Sequence, residues 1–289
     1  MSEEAVQQLT DVSMERLVTQ SSRLYSLPDV YLKVKHIIDD PDSEIRQLGD
    51  ALMTDPSLST RLLTIAHSAF YGLCNKVDTI TRAVQIIGFK QIHNLVVATS
   101  ITHAFQGLCS ETVNIEKFWM ASVERALVAR ALAEWKCFPE AERMFVAGLL
   151  LDVGHLVMYE HVPELAQKAI DCAEAQSKPL HAVETELFGF SAAELGASLA
   201  THWQLPENLA SQILYQDDPS LAPNKIEAAI AHVAKQLAGT VPEPEAVGEV
   251  FDTLSVDVKE TLGLSKEDCE DILMTALNGL SETLELIIP

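Results

Sequence analysis

The sequence predicts an all-α chain. Apolar residues return at helical spacing along almost its whole length, whereas apolar/polar alternation never persists over the length of a strand. The composition, 48% hydrophobic over 289 residues with a mean hydropathy of +0.12, supplies enough apolar surface for a large core and excludes disorder for most of the chain.

Val30, Val34 and Ile37 form the first apolar stripe, followed by Ile45, Leu48 and Leu52, then Leu58, Leu62 and Ile65. Asp55-Pro56 marks the start of the third of these helices, with Asp as N-cap and Pro in the first turn. Ile92, Leu95, Val96 and Thr99 make the next stripe, and His103 continues it, so His103 is expected as a satisfied core histidine. Small and polar residues from Gly107 to Asn114 interrupt the helices. Beyond them Trp119, Val123, Leu127 and Ala131 step by four, and Val146, Leu149, Leu150 and Val153 form another stripe. Pro206 and Pro223 suit the first position of two later helices, while Ser191 with Glu194 and Ser265 with Asp268 have capping-box spacing. The segment GTVPEPE at 239–245 reads as a linker. After it, Ile272, Leu273, Ala276, Leu277, Leu280 and Leu284 give one apolar face, expected to pack on the parent domain, with a dimer contact as the sharper alternative. The breaks divide the chain into an N-terminal helical lobe (1–106), a second helical lobe (115–238) and a C-terminal helical extension (246–289).

Charge narrows the function. Lys and Arg number 20 against 42 Asp and Glu, a net charge of −22, and no run of Lys or Arg offsets it. Nucleic acid is therefore not an expected partner, because phosphate neutralisation needs a basic face. Cys74, Cys109, Cys137, Cys172 and Cys269 are dispersed and form no CxxC, as expected of reduced thiols rather than a disulfide frame or zinc cage. The acidic N-terminus lacks the features of a signal peptide, and the longest apolar stretch, 144–151, stops at Asp152, far short of the ~20 residues that span a bilayer. The expectation is a cytoplasmic protein without membrane contact.

Gly-rich phosphate loops and a GxSxG elbow are absent, and no two of the nine His sit at i, i+4. One stretch stands out: FVAGLLLDVGH at 145–155, an apolar helix that abruptly carries a carboxylate, a glycine and an imidazole. This segment resembles the core helix of HD phosphohydrolases, in which a His-Asp doublet supplies metal ligands. Further blocks sharpen the likeness: LPDV at 27–30, DPD at 40–42, LMTDPSLSTRLL at 52–63, AHSAFYG at 66–72, ITRAVQIIG at 80–88 and NLV at 94–96. Together, over roughly residues 20 to 235, they resemble the HDOD domain, the HD-related output domain. That resemblance implies an N-terminal helical bundle packed on an HD-like bundle. Phe70 and Tyr71 ahead of Gly72 read as a core plug closing a helix, with a docking role as the alternative.

Carried over position by position, the resemblance implies that most HD metal ligands are replaced. Ala121 stands where the first His of the pattern falls, Leu151 replaces the His of the doublet, and its partner Asp152 is kept. Ser191 takes another His position and is explained as a helix N-cap; Tyr215 and Gln216 fall at a His pair, and Lys235 at a late Asp. Asp152 and His155, at i, i+3, remain as a weak metal pair, since stable sites want three or four ligands with supporting partners. The structural alternative for Asp152 is a carboxylate that caps or hydrogen-bonds a neighbouring helix end.

These readings lead to a non-catalytic signalling module that binds a protein partner, with no cofactor and an open oligomeric state. A metal-dependent phosphohydrolase of nucleotides or cyclic nucleotides, using Asp152, His155 and His202 or His232, is the alternative from another class. A third reading is a sensor of a small nucleotide in a vestigial pocket offering Asp152, Ser191 and Tyr215.

Overall fold

A computed structural model describes residues 13–25, 27–67, 79–106, 108 and 113–287, and among these all regular structure is helical. The HSAFYG block lies mostly outside the described residues, so the plug expected of Phe70 and Tyr71 is not placed.

The first helices follow their local signals. Ser13 caps α1 (Met14–Leu24), α2 spans Asp29–Asp39, and Glu44 with Gln47 forms a reciprocal capping box on α3 (Ile45–Leu52). Asp55 Oδ1 accepts the Leu58 N–H at 3.0 Å and starts α4 (Pro56–His67), as its Asp-Pro pair predicts. Gly88, at φ +97°, turns α5 (Ile80–Ile87) into α6 (Phe89–Ala104). His103 is exposed in the last turn of α6, where the buried side is that of Ile101, Thr102 and Phe105; the buried histidine of this helix is His93, near its start and stacked against Tyr31. Burial lowers the His93 pKa to about 4, so its ring is neutral.

The helices after residue 113 are organised around α7 (Ile115–Trp135). Its Trp119, Val123, Ala126, Val128, Ala129 and Ala133 bury several faces at once, as befits a central helix. Along it lies α8 (Ala141–Leu150), close enough that a Cβ on Gly148 would stand 2.7 Å from the Ala126 Cα and the Arg125 carbonyl oxygen. The chain then kinks at Leu151-Asp152 into α9 (Val153–His161), and continues through α10 (Pro163–Gln176), α11 (Leu180–Phe188), α12 (Ala192–His202), α13 (Glu207–Leu214) and α14 (Lys225–Leu237). Both later prolines sit just outside their helices. Pro206 occupies the cap position of α13, and Pro223 precedes Asn224, whose side chain accepts the Glu227 N–H and so takes the N-cap of α14.

One hydrophobic core runs through the helices before residue 106 and those after residue 113. α1 packs on α9 and α12, α2 packs on α6, and α6 on α8. Tyr25 stacks on Phe105, whose edge meets Trp203, and the Tyr31 hydroxyl donates to the Gln204 carbonyl at 3.3 Å. In the extension, α15 (Pro244–Thr253) and α16 (Val256–Leu262) lead to α17 (Lys266–Asn278) and α18 (Leu280–Ile287), which pack on α7. Cys269, Ile272, Leu273 and Ala276 are buried there, so this amphipathic face covers the parent domain. Asn278-Gly279, a hairpin dipeptide by type, here joins two helices.

Candidate functional site

Asp152 sits at the kink between α8 and α9, with φ −99° and ψ 16°, in the N-cap position of α9. Its side chain makes no cap hydrogen bond. The helix-end cap expected of it is not formed: charged side chains surround the carboxylate instead, and among the described residues its Oδ1 is buried without a hydrogen-bond partner. Arg125 Nη1, on α7, stands 3.0 Å from Asp152 Oδ2, and Lys235 Nζ, on α14, 3.9 Å from Oδ1. Ser122 steadies the guanidinium by accepting from Arg125 Nη2 at 2.9 Å.

His155, one turn into α9, links Asp152 to a second carboxylate. Its Nδ1 lies 3.5 Å from Asp152 Oδ1, and its Nε2 2.8 Å from Glu184 Oε1 on α11. The other Glu184 oxygen accepts the Ala192 N–H at 2.8 Å and holds the N-terminus of α12, where a carboxylate is favoured. Tyr159 stacks on the His155 ring at 5.8 Å. Lys235 also pairs with Asp217 at 2.8 Å, and His181 Nδ1 lies 3.7 Å from the same carboxylate.

The electrostatics follow from this arrangement. Burial alone would raise the Asp152 carboxyl, but Arg125, His155 and Lys235 outweigh it and hold it well below the usual carboxylate range. Burial alone would lower the His155 imidazole, but Asp152 and Glu184 raise it to about 9. Glu184 is lowered against its own burial by His155 and the Ala192 N–H. At neutral pH the cluster is a set of charges held in fixed alternation.

The other expected site residues are placed as follows. Ser191 N-caps α12 in a reciprocal capping box with Glu194. Tyr215 ends α13 and lines a cleft to which neither Asp152 nor Ser191 contributes. Leu151 is buried, and Gln216 Nε2 donates to the Leu151 carbonyl at 2.7 Å. His232 Nδ1 lies 2.7 Å from the Gln216 carbonyl oxygen, and His202 is exposed at the end of α12. Arg125 and Glu184 do not emerge from the sequence reading, although a Glu124-Arg125 pair inside a helix apolar on several faces was a signal of buried charge. Among the described residues no group of three or more His, Cys, Asp or Glu is arranged to hold a metal ion, and no helix is long and apolar enough to cross a membrane.

Comparison with known proteins agrees with the architecture. A model of the HDOD domain matches residues 24–219. The chain belongs to the HDOD domain family. Among relatives, a Treponema pallidum protein with no assigned function is 26% identical over 211 residues, covering 72% of this chain and 40% of its own length, so the chain spans about two fifths of that relative. A crystal structure from Shewanella amazonensis, provisionally named a phosphohydrolase, superposes with a TM-score of 0.74 at 25% identity, covering 94% of this chain and 97% of its own. An HDOD domain protein of unknown function from Geobacter sulfurreducens superposes at 0.71 and 24% identity, covering 96% of this chain and all (100%) of its own. This HDOD chain is an HD-related all-helical module.

Proposed function

We propose that this HDOD protein is a non-catalytic regulatory module that acts by binding a signalling protein, and that its HD metal-ligand positions have been given over to an internal ion network. The observation that carries the reading is the double engagement of Asp152 by Arg125 at 3.0 Å and Lys235 at 3.9 Å. A divalent metal does not fit this donor set. Asp152 Oδ2 is held by a guanidinium, and His155, with both ring nitrogens facing carboxylates and a pKa near 9, has no lone pair to donate at neutral pH. A metal entering beside Asp152 would also stand against two fixed cations. Leu151 and Ala121, at two of the ligand positions implied by the family, carry no donor atom.

Without a metal-bound nucleophile or a free general base at this point, the cluster has no group placed to activate water toward a phosphoester. What it does offer is cross-linking, since it ties α7, the α8–α9 kink, α11, the start of α12 and α14 into one rigid unit. A cross-linked HD-like lobe suits a module that presents a surface. We read its parts as an N-terminal lobe (1–106), an HD-like lobe (115–238) and an extension (246–289).

The test is phosphodiesterase turnover of bis(p-nitrophenyl) phosphate with magnesium, manganese, zinc and ferrous ions, in wild type and Asp152→Ala. The expected result is no release above the metal-only blank for either protein. Turnover that Asp152→Ala abolishes would overturn the reading and restore the phosphohydrolase.

A further inference from the structure

The first described helix, α1, is seated on the molecule as a helical ligand sits in a groove. It packs on α9 and α12, both more than a hundred residues further along the chain. Met14, Leu17, Val18, Ser21 and Tyr25 recur at i, i+3, i+4, i+7 and i+11, the stripe by which an amphipathic helix enters a groove. Leu17 and Val18 are buried, whereas Glu15, Arg16, Thr19 and Gln20 on the other side are exposed. Tyr25, just past the helix, is anchored by its stack on Phe105 at 4.3 Å and by Glu160 of α9.

The centre of that stripe is poorly matched to its surroundings. Ser21 is 0% exposed, and among the described residues its hydroxyl has no hydrogen-bond partner. The other short hydroxyl side chains inside α1 are satisfied: Thr19 donates to the Glu15 carbonyl and Ser22 to the Thr19 carbonyl. A buried hydroxyl without a partner is costly, and water removes that cost whenever the helix lifts. The helix is also weak by itself. Its 11 residues fall short of the ~12–15 below which an isolated helix is marginal in water, and Thr19, Ser21 and Ser22 lower its propensity further.

We propose that α1 is a detachable strap over the α9–α12 groove, and that the groove it uncovers binds an amphipathic helix of a partner protein. That helix carries the α1 stripe with a small apolar residue in place of Ser21. The strap pivots at Tyr25, which stays anchored. Its tether gives α1 a high effective concentration, so the closed state is the resting one. The partner helix competes because it buries no unsatisfied hydroxyl. The α1 of a second copy brings the same serine without the tether, so it gains nothing by exchange. The inference rests on the binding-module reading and names the surface that module uses; phosphoester turnover tests that reading, whereas exchange and peptide binding test this one.

The experiment is hydrogen exchange of the full chain in rising urea, followed by mass spectrometry. The α1 amides are expected to exchange through an opening that leaves α9 and α12 protected. Ser21→Ala, which removes the unsatisfied hydroxyl, is expected to slow that exchange about tenfold. The groove is probed with a fluorescent synthetic peptide of residues 13–25 carrying Ser21→Ala. It is expected to bind the Leu17→Asp chain, in which α1 is released, saturably and about tenfold or more tighter than wild type. Val18→Ser is the milder release variant should Leu17→Asp not fold. Three results overturn the proposal: α1 amides that exchange only together with those of α9 and α12, an exchange rate that Ser21→Ala leaves unchanged, or a peptide that binds the folded release variant no tighter than wild type.

Discussion

The Arg125 guanidinium stands 3.0 Å from the Asp152 carboxylate, and only 8% and 17% of the two side chains are exposed. An ion pair so buried adds little net stability when intact, yet removing one partner strands the other charge, a loss of about 3–5 kcal/mol. Arg125→Met is expected to cost less than a fully stranded charge, because Lys235 at 3.9 Å and His155 at 3.5 Å still face Asp152. Adding Asp152→Asn to the same chain is expected to restore part of the loss, because the carboxylate that lost its nearest cation goes with it. Urea denaturation of the two single variants and the double variant measures the coupling directly.

The same cluster sets a pH dependence. His155 titrates at about 9 in the folded chain against 6.5 for an ordinary histidine, so folding favours its protonated form. That stabilisation is complete below pH 6.5 and is lost as pH rises through about 9. Asp152 and Glu184 are shifted the other way, so their contribution is present above the ordinary carboxylate range and lost as pH falls through and below it. The Tm is expected to decline between roughly pH 6.5 and 9.5, and His155→Gln to flatten that alkaline limb. A wild-type Tm that stays level up to pH 9.5 would contradict the charged state assigned to His155.

Gly154, between Asp152 and His155, has a packing role of its own. A Cβ at this position would collide with the Ala192 carbonyl oxygen and press on the Gly196 N–H at the crossing of α9 and α12. Overpacking of this kind costs about 1–3 kcal/mol. Gly154→Ala is expected to lower stability by at least that much and to loosen the Glu184–Ala192 bond, since the neighbour that must yield is backbone. Thermal melting gives the first, and hydrogen exchange at the Ala192 amide gives the second.

How much of this was legible differs from residue to residue. Asp152 and His155 stood out because a carboxylate and an imidazole interrupt an apolar helix, and Ser191 because Glu194 follows at capping-box spacing. Helix identity was legible for the same reason, since periodicity is local. Glu184 was not, because nothing near it in sequence says that α11 turns it toward His155 and the start of α12. Arg125 was hidden by the stripe through Trp119, Val123, Leu127 and Ala131, which suggests one buried face; the helix is buried on several, and that puts the guanidinium inside. His103 failed in the opposite direction: the stripe from Ile92 to Thr99 suggests one face, but in the last turn the buried side is that of Ile101, Thr102 and Phe105, which leaves His103 in solvent. The exposed His103 and the buried His93 lie on the same helix.

The extension supplies the last prediction. Ile272, Leu273 and Ile287 are at most 3% exposed, and Lys136 Nζ, just past α7, donates to the Leu262 carbonyl at 2.7 Å, closing the C-terminal end of α16. α18 further touches α4 and α6, so the C-terminal helices reach the first part of the chain as well as covering α7. Burying one such side chain contributes about 1.5–3 kcal/mol, against a total stability of about 5–15 kcal/mol for a domain. Deleting residues from Val241 onward is therefore expected to leave an aggregating or poorly cooperative chain, because the apolar surface of α7 loses its cover. Size-exclusion chromatography and thermal melting of the truncated protein check this. A soluble truncation that melts cooperatively at the full-length Tm would mean that the two lobes are complete without the extension.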